Sequence, residues 1–81
     1  MRTVTLNIDE IYVPAEPRKL LDAERVEQVA EEIIEDTEQT PIQVRKGKDR
    51  YVLVKGIHRL EARRALGEDT IEAFIVAARR F

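Results

Sequence analysis

Hydrophobic residues recur along this chain with two different spacings, and the order in which those spacings alternate admits few folds. Thr3 to Ile8 alternates, with Val4, Leu6 and Ile8 on one face and Thr3, Thr5 and Asn7 on the other; this is the period of a half-buried strand. Val26, Val29, Ala30 and Ile33 instead follow at i, i+3, i+4 and i+7, the stripe of an amphipathic helix. Asp22 is a good N-cap for that helix, and Leu21 and Val26 have the spacing of a hydrophobic staple around it. Glu24, Glu27, Glu31 and Glu35 cover its outer face, and its end is expected near Asp36, because Pro41 forbids continuation. Ile42–Arg45 and Tyr51–Val54 read as two strands joined by a hairpin turn at Lys46-Gly47-Lys48-Asp49. A second helix is expected from Ile57 to Leu66, with Ala62, Ala65 and Leu66 on its core face and Gly67 as its stop. Thr70–Val76 gives a last strand and Ala77–Phe81 a short tail. Between the first strand and first helix, Asp9–Pro17 reads as irregular. Pro14 and Pro17 rule out a central strand there, leaving Ile11-Tyr12-Val13 as an edge segment.

The resulting order, β-α-β-β-α-β, predicts a small α+β fold with two helices packed on one face of a mixed, mainly antiparallel sheet. The 81 residues are room for one domain, expected to span 1–81.

Composition removes several kinds of chemistry. The chain has no cysteine, so disulfides, thiolate catalysis and Cys-ligated metals are excluded. One histidine cannot build a His-rich metal site. Two tyrosines and two phenylalanines are too few for a base-stacking platform. No apolar run approaches the ~20 residues of a membrane span, and Met1-Arg2-Thr3 leads straight into a strand rather than a signal peptide; a cytoplasmic protein is expected. Charge is uneven: residues 1–40 carry four basic and eleven acidic side chains (−7), residues 41–81 ten basic and five acidic (+5).

The segment with the most chemical content is Lys55-Gly56-Ile57-His58-Arg59, where a strand ends, a glycine turns and a helix begins. The first N–H groups of a helix have no intrahelical acceptor and sit at the positive end of its dipole. A glycine lets an anion come close to the backbone. Lys55, His58 and Arg59 add donors within one turn, and Arg63 lies one turn beyond Arg59. Together they form a candidate phosphate cradle. The bland alternatives are specific. The His58 ring, four residues before Ala62, covers an edge of the core; Arg63 and Arg64 lie on a solvated face, with Arg64 and Glu68 as an i, i+4 pair.

The chain resembles the ParB/sulfiredoxin superfamily, which includes ParB N-terminal domains, sulfiredoxins and some small-molecule kinases. The resemblance runs from the strand Thr3–Ile8 and the proline-containing loop before Leu20-Leu21-Asp22, through the helix Val26–Ile33 and Pro41–Val44. It is most specific at Gly56-Ile57-His58-Arg59-Leu60-Glu61-Ala62, followed by Leu66-Gly67 and Thr70–Ala73. That segment is similar to the phosphate-binding Gly-Cys-His-Arg of sulfiredoxins and Gly-Glu-Arg-Arg of ParB proteins. The resemblance implies that Gly56, the Ile57 position, His58 and Arg59 bind nucleotide phosphates, with Lys55 and Arg25 as helpers and Asp22 near the nucleotide. It implies ATP or CTP as ligand, with magnesium held mostly by phosphate and water. Ile57 stands where sulfiredoxins have their catalytic cysteine, which excludes sulfiredoxin activity; no residue is assigned a catalytic role.

The leading expectation is therefore a nucleotide- or phosphate-binding ParB-like module, part of a DNA-partition or transcription-regulating system. One alternative is a phosphotransferase or nuclease-like enzyme; another is a module that binds DNA directly through the basic C-terminal half. A protein-docking role for the acidic first helix is a third. DNA contact through an associated domain and a homodimer are both compatible with the resemblance, and no residue fixes the oligomeric state. The ParB helix-turn-helix is not within these residues, so either a stand-alone module or a piece of a longer protein is expected.

Overall fold

The computed structural model describes residues 3–36 and 40–76; the expected tail 77–81 lies outside them. The elements in order are β1 (Thr3–Asn7), a 3₁₀ turn (Ile8–Glu10), β2 (Ile11–Tyr12), α1 (Ala15–Lys19), α2 (Ala23–Ile34), β3 (Ile42–Lys46), β4 (Tyr51–Lys55), α3 (Ile57–Ala65) and β5 (Thr70–Ile75). The five strands form one sheet in the order β1-β5-β3-β4-β2. β1/β5 and β3/β4 pair antiparallel, and β3/β5 and β2/β4 pair parallel. The sheet is mixed, and the α+β class read from the sequence holds.

The core lies on one face of the sheet. Ile42 and Val44 of β3, Leu53 of β4, and Ile71 and Ala73 of β5 meet Ile57 and Leu60 of α3, with Ile8, Ile11 and Val13 closing the side. Two details of α3 differ from the expectation. Its inward residues are Ile57, Leu60 and Ala62, whereas Ala65 and Leu66 are exposed. The helix meets the sheet through its first turns, so the inward stripe is set by where α3 starts and its C-terminal end stands clear. α2 packs chiefly against α3. Only Val29 of its stripe is fully buried, and Val26, Ala30 and Ile33 are half-buried. The predicted N-cap is formed: the Asp22 carboxylate accepts from the Glu24 N–H at 3.0 Å.

The segment read as irregular contains a third helix, α1. Pro17 sits inside it without cost because the first N–H groups of a helix have no partner to lose; the first bond runs from Arg18 N–H to Pro14 O, 3.2 Å. β4 departs from simple alternation. Val44 lies opposite Leu53 but Gln43 opposite Lys55, leaving Val54 as an extra residue. Such a bulge kinks the strand and re-aims the residues after it, and here Val54 and Lys55 are both exposed.

Leu60→Ala, at a fully buried position, should cost about 2–5 kcal/mol in denaturant unfolding. Leu66→Ala, at 37 % exposure, should cost clearly less, since over a third of the residue is already in water and its loss leaves no enclosed cavity. Equal losses would contradict this placement of the α3 inner face.

Candidate functional site

α3 leaves the end of β4 at Gly56, which has φ +108° and caps the helix without a side-chain bond. Two constraints demand glycine here. L-residues avoid this φ, and an added Cβ would stand 2.7 Å from Ile42 Cγ2. The second contact shows that Gly56 is required by packing against a core residue, independently of any ligand. The first intrahelical bond is Leu60 N–H to Gly56 O, 2.9 Å. The N–H groups of Ile57, His58 and Arg59 therefore precede the ladder and are directed out of the helix end.

A second corner is fixed against this one. Arg18 donates to Val13 O at 3.1 Å, tying α1 to the β2 segment. The chain then turns at Leu20-Leu21, and the Asp22 N–H donates to His58 Nε2 at 3.1 Å. An accepting Nε2 places the ring proton on Nδ1, so this bond belongs to the neutral imidazole. His58 thus joins the start of α3 to the start of α2, a more particular role than covering an edge of the core.

Between α1 and β4 lies an open cleft of about 430 Å³. Beyond Val52, β4 has no β2 partner, and α1 lies beside it. Pro14, Pro17 and Leu20 form one wall, while Val54, Lys55 and Gly56 lie on the other. Its charged lining residues are Glu16, Arg45 and Lys55.

Of the residues expected from the sequence, Lys55, Gly56 and Ile57 line this cleft. Ile57 does so at its margin, because it is 5 % exposed and its side chain belongs to the core. Asp22 and His58 are joined to each other but do not line the cleft. Arg59 is half-buried, with its Nε shielded from solvent. Arg25 is exposed and turned along its own helix toward Gln28 Oε1, 3.5 Å away. Arg63 is drawn away from a cradle, since its Nη1 lies 3.0 Å from both carboxylate oxygens of Glu68. The pair expected between Arg64 and Glu68 is replaced by Arg64–Glu61 at 3.5 Å, because Glu68 lies past the helix end and folds back on Arg63. Arg45, Pro14 and Pro17 also line the cleft and were not among the residues expected from the sequence as site residues. Arg45 carried no signal beyond its charge, and the prolines were read as strand breakers and as part of the loop that carries the resemblance before Leu20.

Residues 1–80 match the ParB N-terminal domain family. The chain belongs to that family. Probable chromosome-partitioning proteins ParB of Campylobacter jejuni and Helicobacter pylori are 37 % identical over 75 residues and 36 % over 76, covering 91 % and 93 % of this chain. The chain spans only about a quarter of those relatives, 27 % and 26 % of their lengths. Among solved structures, sulfiredoxin from Arabidopsis thaliana superposes with a TM-score of 0.83 at 28 % identity, covering 96 % of this chain and 88 % of that one. A C-terminally truncated ParB from Caulobacter crescentus, complexed with CTP-γ-S, gives 0.80 at 23 % identity over 98 % of this chain and 46 % of that one. A free serine kinase variant in complex with ADP gives 0.81 at 23 % identity over 94 % and 31 %. The last two likenesses establish the shared fold.

Two glycine variants separate strain from packing. Gly67, at φ +80° with open space where a Cβ would stand, should lose about 1–2 kcal/mol on substitution by Ala, from backbone strain alone. Gly56→Ala adds the collision with Ile42 to a similar strain and should lose clearly more in the same thermal or denaturant unfolding experiment. Equal losses would mean that the Gly56–Ile42 approach is not a constraint.

Proposed function

We propose that this domain binds a nucleotide, with the phosphates on the amides that open α3 and the nucleoside along the cleft between α1 and β4. The observation that carries this is the start of α3, where the amides precede the helical ladder, at an open cleft lined by Lys55, Gly56 and Ile57. Helix N-termini of this kind suit phosphate, through donors and dipole together. Pro14, Pro17, Leu20 and Val54 offer the apolar surface a nucleoside needs, and Arg45 adds a second cation at that end. On the same fold, the Caulobacter ParB is complexed with CTP-γ-S and the serine kinase with ADP.

In this reading Lys55 and Arg59 neutralise the phosphates, and His58 adds its Nδ1–H or its backbone amide. Asp22 holds His58 in place, and Arg25 assists from the first turn of α2. CTP and ATP are the ligands proposed. Magnesium comes with the phosphates and water, since no group of three or more His, Cys, Asp or Glu gathers to hold a cation among the described residues. Ile57, aliphatic and buried, supplies no nucleophile. Within a longer partition protein, the domain would be the nucleotide-responsive part and DNA contact would fall to other segments.

Calorimetric titration with CTP, ATP, GTP and ADP, with and without magnesium, tests the reading. Arg59→Ala should weaken binding by about 1.5–3 kcal/mol, the worth of a charged hydrogen bond. Lys55→Ala, at an exposed position that leaves the core intact, should weaken it in the same direction, and Glu72→Ala on the far strand β5 should not. Undiminished affinity in both cation variants would remove this site. Phosphate release in the same samples would move the assignment from binding to hydrolysis.

A further inference from the structure

The chain has a single histidine and no cysteine, so the His58 imidazole is its one side chain of a type that ordinarily changes charge between about pH 5 and pH 8. That ring sits where its charge decides a contact. Its Nε2 accepts from the Asp22 N–H at 3.1 Å, across 36 residues of sequence. Only an unprotonated ring nitrogen has a lone pair to offer. A proton on Nε2 turns the acceptor into a donor, sets it against another donor and breaks the bond. The bond is exposed, so a proton reaches the ring without passing through the core.

We propose that the Asp22–His58 bond is a proton-operated latch: a neutral ring holds the α1–α2 corner against α3, and protonation of Nε2 releases it. The segment it holds is otherwise lightly anchored. α1 buries none of its five residues. Its Arg18–Val13 bond is local, joining the helix to the residue just before Pro14. Open space lies on both sides of it. Pro14, Pro17 and Leu20 border the cleft, while Val13, Arg18 and Leu21 border a second hollow of about 430 Å³ against Ile57 and Glu61 of α3. The charges around the ring come from three elements: Arg18 and Lys19 at the end of α1, Asp22, Glu24 and Arg25 at the start of α2, and Lys55, Arg59 and Glu61 at the start of α3. β3 also packs on α3 and meets it through apolar Ile42 and Val44. Among these charges the Asp22 carboxylate belongs to the latch residue itself, and it caps α2 by accepting from the Glu24 N–H at 3.0 Å. An imidazolium attracts that carboxylate and competes with the cap. Acid therefore acts on the corner twice, removing the bond to the Asp22 amide and loosening the first turn of α2. The latch concerns the unliganded fold and does not rest on the nucleotide reading.

NMR spectra of the whole chain recorded from about pH 8 to pH 5 test the proposal, a range that ends above the usual carboxylate titration near pH 4. The His58 ring carbons report protonation, and the amides of Leu20, Leu21 and Asp22 report the corner. The Asp22 amide should shift along the ring's own titration curve and lose protection from exchange, and Leu20 and Leu21 should move with it. The amides of Ile71 and Ala73 in β5 should stay in place. His58→Gln offers a side-chain oxygen that accepts without titrating; it should keep the corner closed and abolish the pH dependence. His58→Ala should show the released shifts already at pH 8. An Asp22 amide indifferent to the ring's titration would overturn the proposal. So would a ring that keeps one protonation state across the whole range, or the same pH-dependent shifts in His58→Gln.

Discussion

The approach of Gly56 to Ile42 governs the geometry of this domain. Ile42 is fully buried in β3, and a Cβ on Gly56 would come within 2.7 Å of it. The backbone therefore passes over the core side chain with no room for a methyl group, in a left-handed conformation that only glycine adopts freely. That passage fixes the angle at which α3 leaves the sheet. It places Ile57 and Leu60 inward and leaves the first amides of the helix outside. The exposed start of α3 is thus a by-product of core packing, and its amides are held by the most buried part of the fold.

What faces those donors is set by the α1–α2 corner. Arg18 anchors α1 to Val13 O, Asp22 caps α2, and the Asp22 amide is held by His58 of α3. Two of these bonds are exposed and the third is partly buried, so each contributes modestly, on the order of 1 kcal/mol. Their value is positional: they keep α1 beside the β4 edge that β2 leaves unpaired, and so keep the cleft open. The Val54 bulge acts in the same place, since it turns Lys55 outward at the point where the cleft meets the helix end.

Much of the fold was legible because its strong signals are local. The β1 alternation, the Asp22 cap, the hairpin between β3 and β4, and the glycines around α3 each state their structure in a few residues. What was missed depends on partners elsewhere in the chain. α1 was hidden because Pro17 argues against a helix unless it lies in the first turn, where its missing N–H costs nothing. The inner face of α3 was misjudged because periodicity cannot tell which end of a helix meets a sheet, so Ala65 and Leu66 were taken for core. The bulge at Val54 leaves no mark in composition. Arg63 looked available until its return partner, Glu68 beyond the helix end, was visible in three dimensions. The family resemblance brought Gly56–Arg59 forward as one unit, and the structure divides it. Gly56 and Ile57 serve the core and His58 the corner, while Lys55 is exposed at the rim of the cleft.

The most direct test of the account is a map of backbone amide shifts on titration with CTP or ATP in magnesium. The account predicts the largest shifts at Ile57, His58 and Arg59, with smaller ones at Leu20–Asp22 and Val54–Gly56 along the cleft. Saturable shifts that cluster elsewhere, with the α3 amides unmoved, would contradict it.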